Sequence, residues 1–252
     1  VGAYSVDSII QPRRETNGYF PIAQCGELSP YSSTSNEWKA QWPIKPEVVC
    51  DGGNVASDGT NFIQGMDELS KLTLSKDINR RLFDTIWATS ASTAQCSYIA
   101  AELMAAYPSM RPETLRALIV HSARWTTQMK NQFGLPDTKS QGRKKLLRTC
   151  GYGVPSLEIA KDTLDNRVNM IIEGELQPYE KKQGSAPKMK EMHIHTLPWP
   201  ESVLQTLENK VVKVRITLSY FIEPGPGQKG WKNKYRYSYC GLRFDMKHPE
   251  ET

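Results

Sequence analysis

A serine stands at the head of an alanine-rich stretch: Trp87-Ala-Thr-Ser90-Ala-Ser-Thr-Ala94 runs into a segment that continues to Tyr107. A hydroxyl at a helix entrance sits among backbone N–H groups without acceptors and at the positive end of the helix dipole, where negative charge on or beside the oxygen is supported. That is the environment of an activated nucleophile. It is equally the environment of an N-cap serine, whose side chain only closes the helix start. A nucleophilic serine needs a base, and the chain has four histidines, His121, His193, His195 and His248. His121 falls in a helical pattern and the others in strand-like sequence or the tail, so none is nominated as the base. His193 and His195 would share one face of a strand, a spacing compatible with metal, yet no third ligand accompanies them, and neither a metal nor a cofactor is expected.

Residues 91–107 carry alanines at Ala91, Ala94, Ala100, Ala101, Ala105 and Ala106 and only one charged residue, Glu102. They read as a helix buried on nearly all sides, since Ser, Thr and Gln interrupt the stretch and Pro108 ends it too early for a membrane span. A second helix begins at Pro112, a residue suited to the first helical position, with Glu113 in its first turn and Leu115, Leu118, Ile119 and Ser122 keeping the 3.6-residue period. Upstream, Lys45-Pro-Glu-Val-Val-Cys50 reads as a buried strand stopped by the turn Asp51-Gly-Gly-Asn54. Residues 55–85 read as rich in loops. From about residue 166 the period changes to two. Val212, Val214, Ile216, Leu218 and Tyr220 alternate with Lys213, Arg215, Thr217 and Ser219, and similar runs occupy 168–176, 189–197 and 235–246. Turn chemistry stands at Lys182-Gln-Gly-Ser and Pro224-Gly-Pro-Gly, so residues 166–252 are expected to form an all-β sandwich, jelly-roll-like.

The chain has 252 residues, enough for one large domain or two modest ones, and 38% hydrophobic residues, which argues against disorder. With 32 basic and 27 acidic residues its net charge is +5, too balanced to indicate nucleic-acid binding. The string Lys229, Trp231, Lys232, Lys234, Tyr235, Arg236 and Tyr237 mixes aromatics with cations as single-strand grooves do, but strand alternation produces the same string. Positions 127–150 hold six basic residues against Asp137 alone and read as a solvated basic loop, with an anionic partner as the other reading. Five cysteines, Cys25, Cys50, Cys96, Cys150 and Cys240, are dispersed without any C-x-x-C pair, indicating neither a disulfide framework nor a zinc knuckle and pointing to a reducing, cytoplasmic setting. The amino end shows no signal-peptide pattern and no initiator Met, so the chain is expected to be a piece of something longer.

Taken in order, several segments resemble the subtilisin-like serine peptidases. They are Val1-Gly-Ala, Pro30-Tyr-Ser-Ser33, Ile44-Lys-Pro-Glu-Val-Val-Cys-Asp-Gly52, Ala88-Thr-Ser-Ala-Ser-Thr93, Arg111 to Ala123 and Gly151-Tyr-Gly-Val-Pro155. The resemblance covers residues 1–165 and implies an α/β fold: the C-terminal half of a layered subtilase domain, followed by the β module of residues 166–252. It implies that Ser90 is the nucleophile, with Ala88, Thr89 and Ala91 as the near-site motif. In that family a His takes the Ser proton, a buried Asp orients the His, and an Asn amide helps to hold the oxyanion. Two departures stand in the motif, Ala88 where Gly is usual and Ala94 where Pro is usual.

The motifs for the His, the Asp and the oxyanion Asn would precede Val1. The resemblance therefore implies a serine endopeptidase in a longer protein and an inactive isolated chain. The divergent motif is similar to a bacterial intracellular subgroup, which implies an AAA-type ATPase as a partner beside protein or peptide substrates and the N-terminal half of the catalytic domain. Strands and helices of that half would leave an open sheet edge and an apolar face here, so self-association is expected. No membrane partner is expected. The competing class is a pseudopeptidase or adaptor that kept the scaffold and binds proteins through the β module and the basic segment.

Overall fold

The structure is a computed structural model and describes residues 1–38, 43–133, 140–165, 169–180, 182–186, 188–196, 201–208 and 210–221. The chain divides into two units, Val1–Asn169 and Met170–Thr252. In the first, strands β1 (Gly2–Tyr4), β2 (Phe20–Pro21), β3 (Val49–Asp51), β4 (Ala56–Ser57), β5 (Phe62–Ile63), β6 (Lys71–Leu74) and β7 (Phe83–Ile86) precede the helices α1 (Ala88–Ala106), α2 (Pro112–Ser122), α3 (Thr127–Gln132), α4 (Ser140–Cys150) and α5 (Leu157–Asp165).

The centre is a parallel pair in which β1 lies beside β3, Gly2 opposite Val49 and Ala3 opposite Cys50. Parallel pairs are stable where both faces are covered, and here both are. Val48 faces a cluster built from Leu103 of α1, Leu118 and Ile119 of α2 and Ala160 of α5. Its neighbour Val49 points the other way, onto Met129 of α3 and Leu146 and Cys150 of α4. The alternation of a strand thus divides the helices into two layers, and the architecture is mixed α/β. A third cluster of Ala56, Met66 and Leu69 lies under the small antiparallel sheet β2–β4–β5. Glu47 binds Arg116 of α2 through two hydrogen bonds, Nε to Oε2 at 3.0 Å and Nη2 to Oε1 at 2.8 Å, tying the approach to β3 onto α2. α2 begins with Pro112 as its composition requires.

Three expectations for this unit are corrected. α1 is buried on one side only: Ala91, Ser92 and Leu103 are buried, while Thr93, Ala94, Ser97, Tyr98, Ala101, Met104 and Ala105 are exposed. Alanine is nearly indifferent to burial, so a lack of charge says little about how many sides a helix covers. The described part of 127–150 is not a basic loop, for α3 and α4 occupy it. Leu146 and Cys150 recur at a spacing that faces the core, and Arg143, Lys144 and Lys145 are the solvated side of the same helix. Arg148 turns inward and donates to the carbonyls of Ser35 at 2.8 Å and Trp38 at 3.4 Å. Within 55–85 the hairpin β6–β7 pairs Lys71 with Ile86 and Leu74 with Phe83, order that the loop-rich expectation missed.

In the second unit β8 (Tyr179–Glu180) and β9 (Lys188–Met189) form an antiparallel hairpin, and α6 (Glu201–Thr206) follows. The turn Lys182-Gln-Gly-Ser lies within this hairpin, with Ser185 N–H donating to Lys182 O at 3.1 Å and Gly184 at φ +80. Residues 169–176 and 210–221 pair in no ladder with any described residue, and Val212, Val214, Ile216 and Leu218 are 42% to 55% exposed. Sandwich closure is therefore absent among the described residues: alternation supplies a face, and a half-buried strand also requires a partner to cover it. The runs 235–246 and Pro224-Gly-Pro-Gly, with the aromatic and basic string 229–237 and His248, lie outside the described residues.

Candidate functional site

Ser90 is the third residue of α1, and the site is built by what holds the start of that helix. β7 delivers the chain to Trp87, which is the N-cap in extended conformation and makes no side-chain capping bond. Ser90 is therefore not the cap. Its side chain is exposed, and no described residue is hydrogen-bonded to its hydroxyl. The next residues anchor the helix instead. Ala91 is buried, and Ser92, completely buried, donates its hydroxyl to Cys50 O at 3.0 Å. Gln95 Nε2 donates to Asp51 O at 2.5 Å. Thr89 accepts a hydrogen bond from Thr93 Oγ1 at 2.7 Å through its carbonyl, one turn back along the helix.

The backbone at Ala88 is left-handed, with φ +65, and its N–H donates to Gly52 O at 2.8 Å. That bond sets the direction in which α1 departs from the β3 turn. It requires a close approach: a Cβ on Gly52 would lie 2.7 Å from Ser92 Oγ and 2.9 Å from Ala88 O, so the turn tolerates only glycine there without displacement. With the Ala88 N–H taken and the cap absent, the amides of Thr89 and Ser90 are first-turn donors without intrahelical acceptors. The serine oxygen therefore stands at the positive end of a 19-residue helix.

A charged cluster supports the same turn. The Asp51 carboxylate, buried at the end of β3, accepts the Gly53 N–H at 3.0 Å and pairs with Lys71 Nζ, which also meets Asp7 at 2.6 Å. Burial alone would lower the Lys71 pKa, but its hydrogen bonds to Asp51 and Asp7 outweigh burial and raise it. Tyr4 beside them is pushed up to about 12, first by burial and then by the Asp51 charge. Asn54 is fully buried and satisfied: Oδ1 accepts from the N–H groups of Ala23 at 3.1 Å and Val55 at 2.9 Å, and Nδ2 donates to Ala23 O at 2.6 Å. On the other flank the Trp87 ring lies against Gly65, where an added Cβ would stand 2.7 Å from it, and Gly65 N–H donates to the Tyr31 hydroxyl at 3.3 Å.

Sequence reasoning picked out Ser90, Ala88, Thr89 and Ala91, and the structure brings these together at one turn. It missed Lys71, Asp7, Gly52, Ser92 and Gln95. Asp51-Gly-Gly-Asn54 was visible as a turn, and its first two residues as the end of a segment resembling the family, while the one signal for Lys71 was the short alternation Lys71-Leu-Thr-Leu74. No described histidine is hydrogen-bonded to Ser90. His121 lies in α2, while His193 and His195 belong to the other unit, their ring centroids 6.0 Å apart and their planes near perpendicular. Among the described residues no group of three or more His, Cys, Asp or Glu could hold a metal, and no helix is long and apolar enough to cross a membrane.

Comparison with known proteins gives a family match over the residues that build this turn: the model of the subtilase family matches residues 1–153. An uncharacterized protein of Sinorhizobium fredii, y4bN, is 26% identical over 204 residues, which is 79% of this chain and 43% of that protein. The chain thus spans less than half the length of that relative, and the similarity is longer than the segment matched by the family. No solved structure matches the chain.

Proposed function

The chain belongs to the subtilase family, and from that premise we propose that it is the nucleophile-bearing part of a serine endopeptidase, with Ser90 as the residue acylated. The observation that carries the proposal is the exposed, unbonded Ser90 hydroxyl in the first turn of α1, at a backbone turn held by Ala88 and Gly52. In the proposed reaction Ser90 Oγ attacks the scissile carbonyl carbon while its proton passes to a histidine from outside these residues. The amine leaves with that proton, and water then hydrolyses the ester to restore the hydroxyl. The Ser90 N–H serves as one oxyanion donor, and an Asn amide from outside the chain as another. Residues 1–165 are the proposed share of the catalytic domain and 166–252 a β module appended to it. A cytoplasmic bacterial setting with an AAA-type ATPase beside it belongs to the same proposal.

The experiment is to label the full-length protein with a fluorophosphonate and map the adduct. It is expected on Ser90 and absent from Ser90→Ala. The isolated 252-residue chain is expected to turn over neither casein nor a chromogenic peptide ester, since a serine without its base is a poor nucleophile at neutral pH. That no described histidine is bonded to Ser90 also fits a pseudopeptidase that binds proteins. A folded full-length protein that takes no label at Ser90 would select that reading.

A further inference from the structure

β3 and α1 bring two cysteines together in the interior of the first unit. Cys50 follows Val48 by two positions, so strand alternation sets it on the α1 side of the sheet, opposite to Val49. Cys96 follows Ser92 by four positions and shares its stripe of α1. Ser92 bonds the Cys50 carbonyl and Gln95 the Asp51 carbonyl, so this stripe lies against β3 at both turns. Both thiols are free, and each lies close enough to act electrostatically on the other. Cys50 is 4% exposed, whereas Cys96 is only partly buried and packs at the rim of the cluster around Leu103 and Leu118, which gives a small oxidant access.

We propose that Cys50 and Cys96 are a redox modification site, converted by a peroxide into a disulfide that cross-links β3 to α1. The Cys96 thiolate attacks one peroxide oxygen, the O–O bond breaks, and a sulfenic acid and hydroxide result. The Cys50 sulfur then attacks the Cys96 sulfur, the S–O bond breaks, and the hydroxyl leaves as water with the Cys50 proton. Both sulfurs are oxidised, the peroxide is reduced, and two waters are the by-product. The order of attack follows from the surroundings. The neighbouring Cys50 thiol holds the Cys96 thiol down at about 7 although burial opposes it, and the Cys96 sulfur together with burial pushes the Cys50 thiol up. Attack therefore begins at the more accessible sulfur and is resolved by the deeper one. Cys150, on the opposite face of β3, is pushed up to about 12 by burial and has no cysteine beside it in its cluster, so it stays reduced. The proposal does not depend on peptidase activity.

The test treats the full chain, in a Cys25→Ser, Cys240→Ser background, with hydrogen peroxide under native conditions. Remaining thiols are alkylated on denaturation, and the chain is digested without reductant. The expected product is a peptide pair joining Cys50 to Cys96, two hydrogens lighter than the separate peptides and lost on dithiothreitol. The oxidised chain should melt several degrees above the reduced one, because the cross-link closes a long loop. Cys50→Ser and Cys96→Ser should each abolish the linked pair and the shift. If either variant fails to fold, the peptide map of the parent still decides. Full alkylation of both cysteines after peroxide, linkage of either to another cysteine, or irreversible oxidation of Cys96 without linkage would overturn the proposal.

Discussion

Replacing Ala88 by glycine should stabilise the protein. Ala88 sits at φ +65, and its N–H is committed to Gly52 O, so the residue cannot relax out of the left-handed region without losing the bond that starts α1. An L-residue there is disfavoured by about 1–2 kcal/mol relative to glycine. Glycine loses more backbone freedom on folding, which takes back about 0.5–1 kcal/mol. The net gain is about 0.5–1 kcal/mol, or roughly 1–4 °C in Tm for a chain of this size. Urea unfolding of Ala88→Gly beside the parent measures it, with Ala94→Gly as the internal control. Ala94 is exposed in the interior of α1, where the same change should destabilise by about 1 kcal/mol. Two Ala→Gly changes six residues apart in one helix should thus move the midpoint in opposite directions. A loss at position 88 equal to that at 94 would refute the left-handed turn and with it the account of how Ser90 is presented.

Ser92→Ala should cost about 1–2 kcal/mol in the same assay, because it removes a completely buried hydroxyl bonded to Cys50 O. Glu47 is held down at about 2: burial opposes its charge, but the bonds from Arg116 and Lys45 prevail. Its depressed folded pKa contributes stability that is present above pH 4.5 and lost as pH falls towards 2. Glu47→Gln should therefore cost about 1–2 kcal/mol at pH 7, solvent screening included, and almost nothing at pH 2. Exposed apolar side chains on the hairpin and α1, among them Leu72 at 72%, Leu74 at 77% and Tyr98 at 59%, should make the chain self-associate in a light-scattering concentration series. A mass that stays monomeric across the series would contradict that.

The legible parts of the sequence were those where a local rule decides. Pro112 marked the start of α2, Asp51-Gly-Gly-Asn54 marked the end of β3, and the alanine-rich run marked α1. Where tertiary packing decides, composition misled. Arg143, Lys144 and Lys145 form the outer face of α4, while Leu146 and Cys150 inside it determined the structure. Val212 to Tyr220 carry a strand's alternation but pair with no described strand, because pairing is a property of two segments. The place of Ser90 at the start of α1 was legible from its motif. Its supports were not, since Lys71 reaches Asp51 and Asp7, and Ser92 reaches Cys50, across spans that no local pattern encodes.

Arg148 has a consequence in time as well as in space. Its guanidinium satisfies Ser35 O, and Asn36 Nδ2 meets Thr149 Oγ1 at 3.0 Å, so these partners are 113 residues apart in the chain. Thr126 Oγ1 likewise donates to Gly26 O at 2.6 Å, and Val49 N–H to Gly153 O at 3.0 Å. During synthesis residues 26–49 emerge before the groups that complete them exist, and a parallel pair such as β1–β3 is slow to close even with both strands present. The stretch that holds Ser35 and Asn36 thus stays incomplete until α4 has been made, and its folding is committed late.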